Sequence, residues 1–189
     1  MIVSSSYMQS YLKLASTAYT SVTLLNSLIS EVEAYWEGYC NQPLAARDLS
    51  YYFTGNGATT KVLPNSIVNS LMSLYRRSNQ LDVWELVSAS NVTLFQNEGV
   101  YKAYNDEGFV NGDSYFLFYN AGYTTIPEAV KKVVSESVAI AYKESVPGDN
   151  RLGILTKGEG QQGVSYSTHY DDLFDRFKRD IANYRIHVI

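Results

Sequence analysis

The sequence YNAGYTTIPE, residues 119–128, most constrains the fold, because a strand must end and a helix must begin within this short span. Gly122 allows a turn without the steric penalty of a Cβ atom. Pro127 suits the first helical position, since its φ is already helical and its missing N–H would go unpaired there. Thr125 and Glu128 have the spacing of a capping box, in which each side chain accepts a hydrogen bond from a free amide. The residue before the proline is the alternative cap, because that residue avoids the α region.

Helical periodicity is found on both sides of this joint. Apolar residues recur every three or four positions from Val22 to Cys40 and from Pro127 to Glu144, which predicts two amphipathic helices. A short helix is expected to begin near Ser6, and a last one to cover residues 171–184. Between residues 49 and 120 the period is closer to two. The sequence therefore predicts an α+β protein, mostly a helical bundle with an inserted β block, in the order αα–β–α–loop–α with an extended C-terminal helix.

The β block, residues 49–120, is expected to form an inserted domain, and residues 1–48 and 121–189 to form the helical bundle with its C-terminal arm. The sequence GNG at 55–57 tolerates positive φ angles and predicts a tight hairpin between the strands on either side of it. A segment rich in Gly, Gln and Ser at 149–168 predicts a flexible loop or a wide hairpin. Apolar or alternating runs predict further strands at residues 67–75, 81–87, 92–95, 99–104 and 114–119.

The residue types used in catalysis do not form a recognisable constellation. The chain has 2 histidines, His169 and His187, and neither lies in a metal-binding motif. The single cysteine, Cys40, lies in a predicted helix among aromatic residues and is interpreted as a small buried hydrophobe. Aspartates between residues 171 and 175 suit the positive end of the last helix dipole. We therefore expect no catalytic, metal-binding or cofactor-binding site, and no enzymatic activity.

The composition favours a protein that works through its surfaces. The 189 residues include 17 tyrosines, which are common in strands and at interfaces, and the net charge is -4. A nucleic-acid-binding protein normally carries a basic patch, and no run of Lys and Arg occurs here. The chain has no recognisable secretory signal and no apolar run long enough to span a membrane. It is therefore expected in a reducing cytosol and without membrane contact.

The last predicted helix carries large apolar residues in one stripe behind the flexible segment. One interpretation is that this helix folds back onto its own bundle. The other is that it is an arm that docks into a groove of a partner, as amphipathic helices do. The two interpretations can coexist if the helix bridges subunits. The stripe consists of Tyr170, Leu173, Phe174, Phe177, Ile181 and Tyr184.

Three segments carry a family resemblance. Residues 33–44, EAYWEGYCNQPL, end a helix with an aromatic–Glu–Gly–aromatic pattern before a polar turn. Residues 52–65, YFTGNGATTKVLPN, contain an aromatic strand, Gly-x-Gly, a Thr-rich return and Leu-Pro. Residues 119–130 join a strand to a helix through Gly-Tyr and Ile-Pro-Glu. In this order, over roughly residues 20–145, they resemble the head–tail connector, or adaptor, proteins of tailed bacteriophages.

The resemblance implies a structural virion protein at the head–tail junction, assembled in the host cytoplasm. Such proteins form a ring, usually of twelve copies, on the portal protein. The ring extends the DNA channel and provides the attachment platform for the downstream neck or tail protein. C-terminal helical segments grip the portal in this family, which assigns portal docking to the apolar stripe from Tyr170 to Tyr184.

DNA is expected to pass through the ring without sequence recognition, because tight binding would require many Lys and Arg contacts to phosphates. We further hypothesise that the glycine-containing, mixed-charge part of the loop faces the channel. Its residues are Lys157, Glu159, Gly160, Gln161 and Gln162.

An alternative function does not involve a phage particle. The β block would then be a binding module for carbohydrate or peptide with helical supports, and its tyrosines and Trp84 would form the platform for the ligand.

Overall fold

The computed structural model describes residues 1–14, 19–97, 100–145, 154–156, 165–166 and 170–186. Helices and antiparallel sheets are both present, which confirms the predicted α+β class. Short 3₁₀ turns occur at Ala89–Asn91 and Ala182–Tyr184. The helices and strands are α1 (Ser5–Leu12), α2 (Tyr19–Cys40), β1 (Arg47–Thr54), β2 (Thr60–Val62), β3 (Val68–Arg77), β4 (Glu85–Val87), β5 (Val92–Asn97), β6 (Val100–Asn105), β7 (Ser114–Ala121), α3 (Glu128–Glu144), β8 (Ile154–Thr156), β9 (Ser165–Tyr166) and α4 (Tyr170–Ile181).

The chain divides into two compact units. The helical unit comprises Met1–Leu44 and Ile126–Ile189, and the β unit comprises Ala45–Thr125. The sequence predicts boundaries after residues 48 and 120, whereas the contacts divide the chain after residues 44 and 125. The difference arises at the edges of the sheet, because β1 and β7 are paired out to Arg47 and Ala121.

The helical unit is built on the apolar stripe that the sequence predicts for α2. Trp36 is fully buried, and its indole N–H donates a 3.0 Å hydrogen bond to the hydroxyl of Ser137 on α3. A buried indole normally has such a partner, because an unpaired N–H in the core is costly. Four buried valines of α3 recur on the same side of that helix: Val130, Val133, Val134 and Val138. Thus α2 and α3 pack together, as their periodicity predicts.

The β unit consists of two antiparallel sheets that share a core. The larger sheet has the strand order β1-β7-β3-β4, and the smaller has the order β2-β6-β5. Phe53 on β1 stacks on Tyr115 of β7 with ring centroids 5.4 Å apart, and Phe109 meets both rings edge-on at 5.2 Å. Ala103 on β6 belongs to the same buried cluster. Alternating residues of β7 are buried, so one face of the larger sheet lies in this core.

The hairpin predicted at residues 55–57 is wrong. Strand β1 pairs along its whole length with β7, and β2 pairs with β6 in the other sheet. The glycine segment instead runs beside the turn before β7, where Gly55 N–H donates to the Asp113 carbonyl at 2.8 Å and Gly57 N–H to the Phe109 carbonyl at 2.7 Å. A Cβ on Gly55 would lie 2.1 Å from the Val110 carbonyl oxygen. Glycine is therefore needed here for close backbone approach, in a crossing between sheets.

The joint between strand and helix differs in detail from the prediction. Helix α3 begins at Glu128, so Pro127 is the N-cap residue and not the predicted first helical residue; its φ is -59° and its ψ is 139°, and no side chain caps the helix. The predicted capping box of Thr125 and Glu128 is therefore wrong, as is the alternative cap at Ile126. The helix begins when the Pro127 carbonyl accepts from Lys131 N–H at 3.0 Å.

Gly122 has the role that the sequence predicts. Its φ is +104°, which side-chain-bearing residues rarely adopt, and a Cβ there would lie 2.5 Å from the Ala45 carbonyl oxygen. The neighbouring Tyr123 carbonyl accepts a 3.0 Å hydrogen bond from Ala46 N–H. This contact holds the end of the β unit beside its beginning.

The Gly-, Gln- and Ser-rich segment contains two short strands. Within its described residues, β8 and β9 pair antiparallel, with Ile154 opposite Tyr166. The five residues predicted to face a channel, between Lys157 and Gln162, lie outside the described part of the chain.

Candidate interaction surface

The outer face of the larger sheet carries a row of large apolar side chains. The strand register places Tyr52, Phe116, Tyr75 and Leu86 directly beside one another across all four strands. These residues alternate with the inward row of Tyr51, Leu117 and Leu74, which packs in the core, and they therefore point away from it. Tyr52 is 52% exposed and Leu86 is 64% exposed.

Five rings line an open groove of about 460 Å³ on this outer face. We call them the aromatic face. Phe116 lies at the centre, with its ring centroid 4.8 Å from Phe118 and 6.0 Å from Trp84. The edge-on geometry between Phe116 and Phe118 is favourable for aromatic pairs. The five residues are Tyr52, Tyr75, Trp84, Phe116 and Phe118.

Polar groups hold this face in place at its margin. The Tyr52 hydroxyl donates a 2.8 Å hydrogen bond to the Ser114 hydroxyl on the neighbouring strand. The Arg77 guanidinium lies 4.5 Å from the centroid of the Trp84 ring, within the range of a cation–π contact. One Arg77 Nη donates to the Gln80 carbonyl at 3.3 Å, which fixes the turn that leads to Trp84. The rings are therefore held in position by contacts within the β unit.

A second exposed strip lies on the smaller sheet. The register places Val62, Lys102 and Phe95 in one row across its three strands, with Tyr104 in the next outward-facing row. Val62 is 52% exposed and Phe95 is 51% exposed. We call these four residues the Phe95 face. They point away from the core, because the alternate row containing Ala103 is buried.

Three residues of the apolar stripe predicted as a docking arm lie in the core of the helical unit. Phe174, Phe177 and Ile181 are buried. The Phe174 ring lies 5.8 Å from that of Trp36 in a stacked arrangement and 5.3 Å from that of Tyr35 edge-on. In the single chain, this favours the interpretation that the last helix folds back onto its own bundle.

The remaining residues of the predicted arm lie at the two ends of this helix. Tyr170 and Leu173 belong to its first turn, and their side chains lie outside the described part. Tyr184 is half-buried in the following 3₁₀ turn, and its carbonyl accepts a hydrogen bond from the Gln42 amide. The next contact, from Ile186 N–H to the Cys40 carbonyl at 2.9 Å, ties the described C-terminal end to α2. Portal docking by these residues stays a prediction.

A smaller groove of about 340 Å³ opens between α1, α3 and α4. Three cations from the three helices line it, namely Lys13, Lys143 and Arg176. Glu136 is the one carboxylate in its described lining, and its Oε1 lies 4.0 Å from Lys132 Nζ. The groove is therefore positive on a chain whose net charge is -4.

The chemistry of these surfaces is that of binding. In the described residues, no group of three or more His, Cys, Asp or Glu side chains is placed to hold a metal ion. Burial raises the pKa of the Cys40 thiol to about 11, so this buried cysteine is held as the unreactive thiol. This agrees with its interpretation as a small core residue. No helix in the described part is long and apolar enough to cross a membrane.

Sequence reasoning named Trp84 and exposed tyrosines as a platform, but it did not single out Tyr52 and Tyr75 and did not include Phe116 and Phe118. Strand β7 carries large apolar or aromatic residues on both of its faces, so alternation alone does not identify the core side. The neighbouring strand β1 carries the pattern that could have identified the outward face. Ser50 and Thr54 stand two residues before and after Tyr52, and polar residues at alternate positions are typical of an outward-facing row.

Comparison with known proteins gives a likeness of fold. No family model matches the chain, and no curated protein matches it. A chain in the structure "Neck of empty GTA particle computed with C6 symmetry" has a TM-score of 0.64 at 16% identity, covering 100% of this chain and 92% of that one. A chain in "Virion of native gene transfer agent (GTA) particle" has a TM-score of 0.61 at 14% identity, with the same coverage of 100% and 92%.

A third similar solved structure also comes from a gene transfer agent particle. A chain in "Neck of native GTA particle computed with C12 symmetry" has a TM-score of 0.57 at 16% identity, covering 97% of this chain and 89% of that one. All three likenesses run through both units and cover most of both chains. At these identities they establish a shared fold.

Proposed function

We propose that this chain is a structural virion protein, a neck subunit that forms a ring on the portal of a phage-like particle. The observation that carries the proposal is the shared fold over the whole chain with chains from gene transfer agent necks and virions. A fold can serve several functions. Here, however, the fold, the sequence resemblance to phage adaptors and the surface chemistry agree.

The ring is proposed from the surfaces of the chain. A ring requires heterologous contacts, in which one surface of a subunit meets a different surface of the next. The β unit has two such apolar surfaces, the aromatic face and the Phe95 face. The neck structures with a related fold were computed with C6 and C12 symmetry, which agrees with a ring of about twelve copies.

In this proposal the ring continues the DNA channel and carries the next neck or tail protein. A net charge of -4 suits a wall along which DNA slides, since each phosphate contact by a cation strengthens binding and slows passage. The segment from Lys157 to Gln162 is proposed to face this channel.

The portal contact is proposed to lie on α4 and the cationic groove beside it. The apolar stripe of α4 holds the helix on its bundle, while Arg176 stays exposed and lines the groove with Lys13 and Lys143. A complementary acidic segment of the portal would be attracted to these cations. Charged groups at an interface mainly set the association rate and the choice of partner.

Co-sedimentation with the portal protein from the same source tests this proposal. The wild-type chain should move to the portal fraction at about one copy per portal subunit, as a matched ring requires. The double variant Lys143→Glu/Arg176→Glu should bind at least tenfold more weakly. Arg179→Glu, an exposed change on α4 outside the groove, is the control and should bind as the wild type does. No co-sedimentation of the wild type at any salt concentration would overturn the proposed function.

A second candidate function is favoured by the aromatic face. A shallow groove lined by five rings can also stack on a sugar or hold an extended peptide, which is the binding-module alternative. Titrating glycans and proline-rich peptides while following Trp84 fluorescence tests it. Saturable quenching of the fluorescence that is lost in Trp84→Ala, together with no binding of the wild-type chain to the portal, would favour the binding module over the ring subunit.

A further inference from the structure

We propose that neighbouring copies of this chain join through their β units, with the aromatic face of one copy packed on the Phe95 face of the next. This inference rests on the proposed ring and adds to it the identity of the contact between subunits. It follows from three properties of the two faces: their exposed apolar rows, their opposite directions and their unlike chemistry.

The aromatic face is an apolar row with polar margins. The row of Tyr52, Phe116, Tyr75 and Leu86 crosses four strands spaced about 4.8 Å apart, and the outward rows beside it carry Ser50, Ser73 and Ser114 as well as Phe118. Exposed apolar patches rimmed by polar residues usually mark an interaction site. This face would form the apolar centre of an interface that buries roughly 800 Å² on each partner.

The two faces point in opposite directions. The inner rows of both sheets enter one buried cluster, which contains Phe53 and Leu117 from the larger sheet and Ala103 from the smaller. On that inner side, the Lys61 ammonium of β2 lies 5.0 Å from the Phe53 ring centroid. The outer rows must therefore lie on opposite sides of the β unit. Two complementary surfaces on opposite sides produce a head-to-tail series of subunits, which closes when the rotation allows it.

The two faces are chemically complementary. The aromatic face presents ring surfaces, which attract cations, and the Phe95 face presents the cation Lys102 between two apolar side chains, Val62 and Phe95. Packing the two together would bury the apolar pair on the rings and place the Lys102 ammonium over a ring. Strand faces that pack in this way lie about 10 Å apart.

Self-pairing of the aromatic face is less favourable. A two-fold contact brings the same patch of both copies together and, among its described residues, offers its rings no cation other than the Arg77 guanidinium, which already lies over Trp84 in each copy. The Phe95 face instead brings an additional cation, Lys102, between two apolar side chains. The second copy should therefore present its Phe95 face.

Cysteine cross-linking on assembled rings tests this contact. Tyr52→Cys and Phe95→Cys each place a thiol at an exposed position of one face, and the native Cys40 is buried and does not compete. The double variant, assembled on the portal and treated with a bismaleimide, should give a ladder of dimer, trimer and higher species. Each single variant should remain monomeric on a denaturing gel. A single variant that forms dimers instead would overturn the head-to-tail contact.

A second measurement separates this inference from the proposed function. Tyr52→Glu and Phe95→Glu should each lower the ring fraction on the portal at least tenfold, while their melting temperatures stay within a few degrees of the wild type. Val110→Glu is the control, because Val110 is 40% exposed and lies outside both faces. Normal rings from both face variants, or rings without a ladder, would overturn the inference and leave the proposed function standing. Absence of rings from the wild type would overturn both.

Discussion

Replacing Phe174 with alanine tests whether α4 is a core helix or a free arm. The side chain is fully buried and contacts the rings of Trp36 and Tyr35 at 5.8 and 5.3 Å. Truncating a buried phenylalanine to alanine typically costs about 3–5 kcal/mol, because transfer free energy is lost and a cavity remains. Each aromatic pair contributes about 0.5–1.5 kcal/mol beyond the buried area. With two pairs lost, we expect a decrease of about 4 kcal/mol in the free energy of unfolding.

Urea unfolding followed by far-UV circular dichroism measures this change, since the helices dominate the signal. Asp175→Ala is the matched control on the next residue. Asp175 is exposed, and its ion pair with Lys178, at 3.4 Å, is of the kind that contributes about 0–1 kcal/mol. We expect a change below about 0.5 kcal/mol for this variant. A loss below about 1 kcal/mol for Phe174→Ala would show instead that the apolar stripe of α4 is not docked in the isolated chain.

Three further predictions concern single residues. Gly122→Ala should lower stability by about 1–3 kcal/mol in thermal unfolding, because φ is +104° and the new Cβ would meet the Ala45 carbonyl oxygen at 2.5 Å. Gly38 lies in α2, and a Cβ there would have nothing within 4 Å, so Gly38→Ala should instead stabilise the protein by about 0.5–1 kcal/mol. Stability changes of the same sign in both variants would contradict this expectation. Cys40, with its pKa raised to about 11, should react with a thiol reagent at about pH 8 only after unfolding, and rapid native labelling would contradict its burial. Burial raises the pKa of Tyr119 to about 12, so its neutral form stabilises the fold fully below about pH 10, and this contribution is lost between about pH 10 and pH 12. Unfolding curves across this range should therefore be less pH-dependent in Tyr119→Phe, and an unchanged slope would contradict the assignment.

The helices could be predicted because the residues that stabilise each helix lie close together in the sequence. The residues that bury α2, such as Leu25, Ile29, Val32 and Trp36, recur at three- and four-residue steps, and burial of that stripe is what stabilises the helix. The same holds for the valines of α3. A turn residue with a steric requirement, such as Gly122, is likewise visible in sequence.

The strand pairing could not be predicted because the paired residues lie far apart in the sequence. Strand β1 pairs with β7, and Tyr52 meets Phe116 across a long separation in the chain. The glycines at 55 and 57 suit a hairpin as well as they suit a close crossing, so local turn chemistry did not distinguish the two. The aromatic face depends on this pairing, so the sequence identifies Trp84 by position and the tyrosines only as a residue type.

For the last helix, the sequence predicts a buried side but not the partner that covers it. Its stripe of Phe174, Phe177 and Ile181 predicts that one side is covered, but periodicity does not say whether the cover is the same chain or another protein. In the structure the cover is the helical unit itself. The exposed side of α4, which carries Arg176, is the side that a partner could contact.

Electron microscopy of the chain mixed with the portal protein from its own source tests the proposed ring. We expect an added ring of density at the outer end of the portal, with the symmetry of the portal and one copy of this chain per portal subunit. Portals without added density, across a range of salt and protein concentrations and with the chain shown to be folded by circular dichroism, would contradict it.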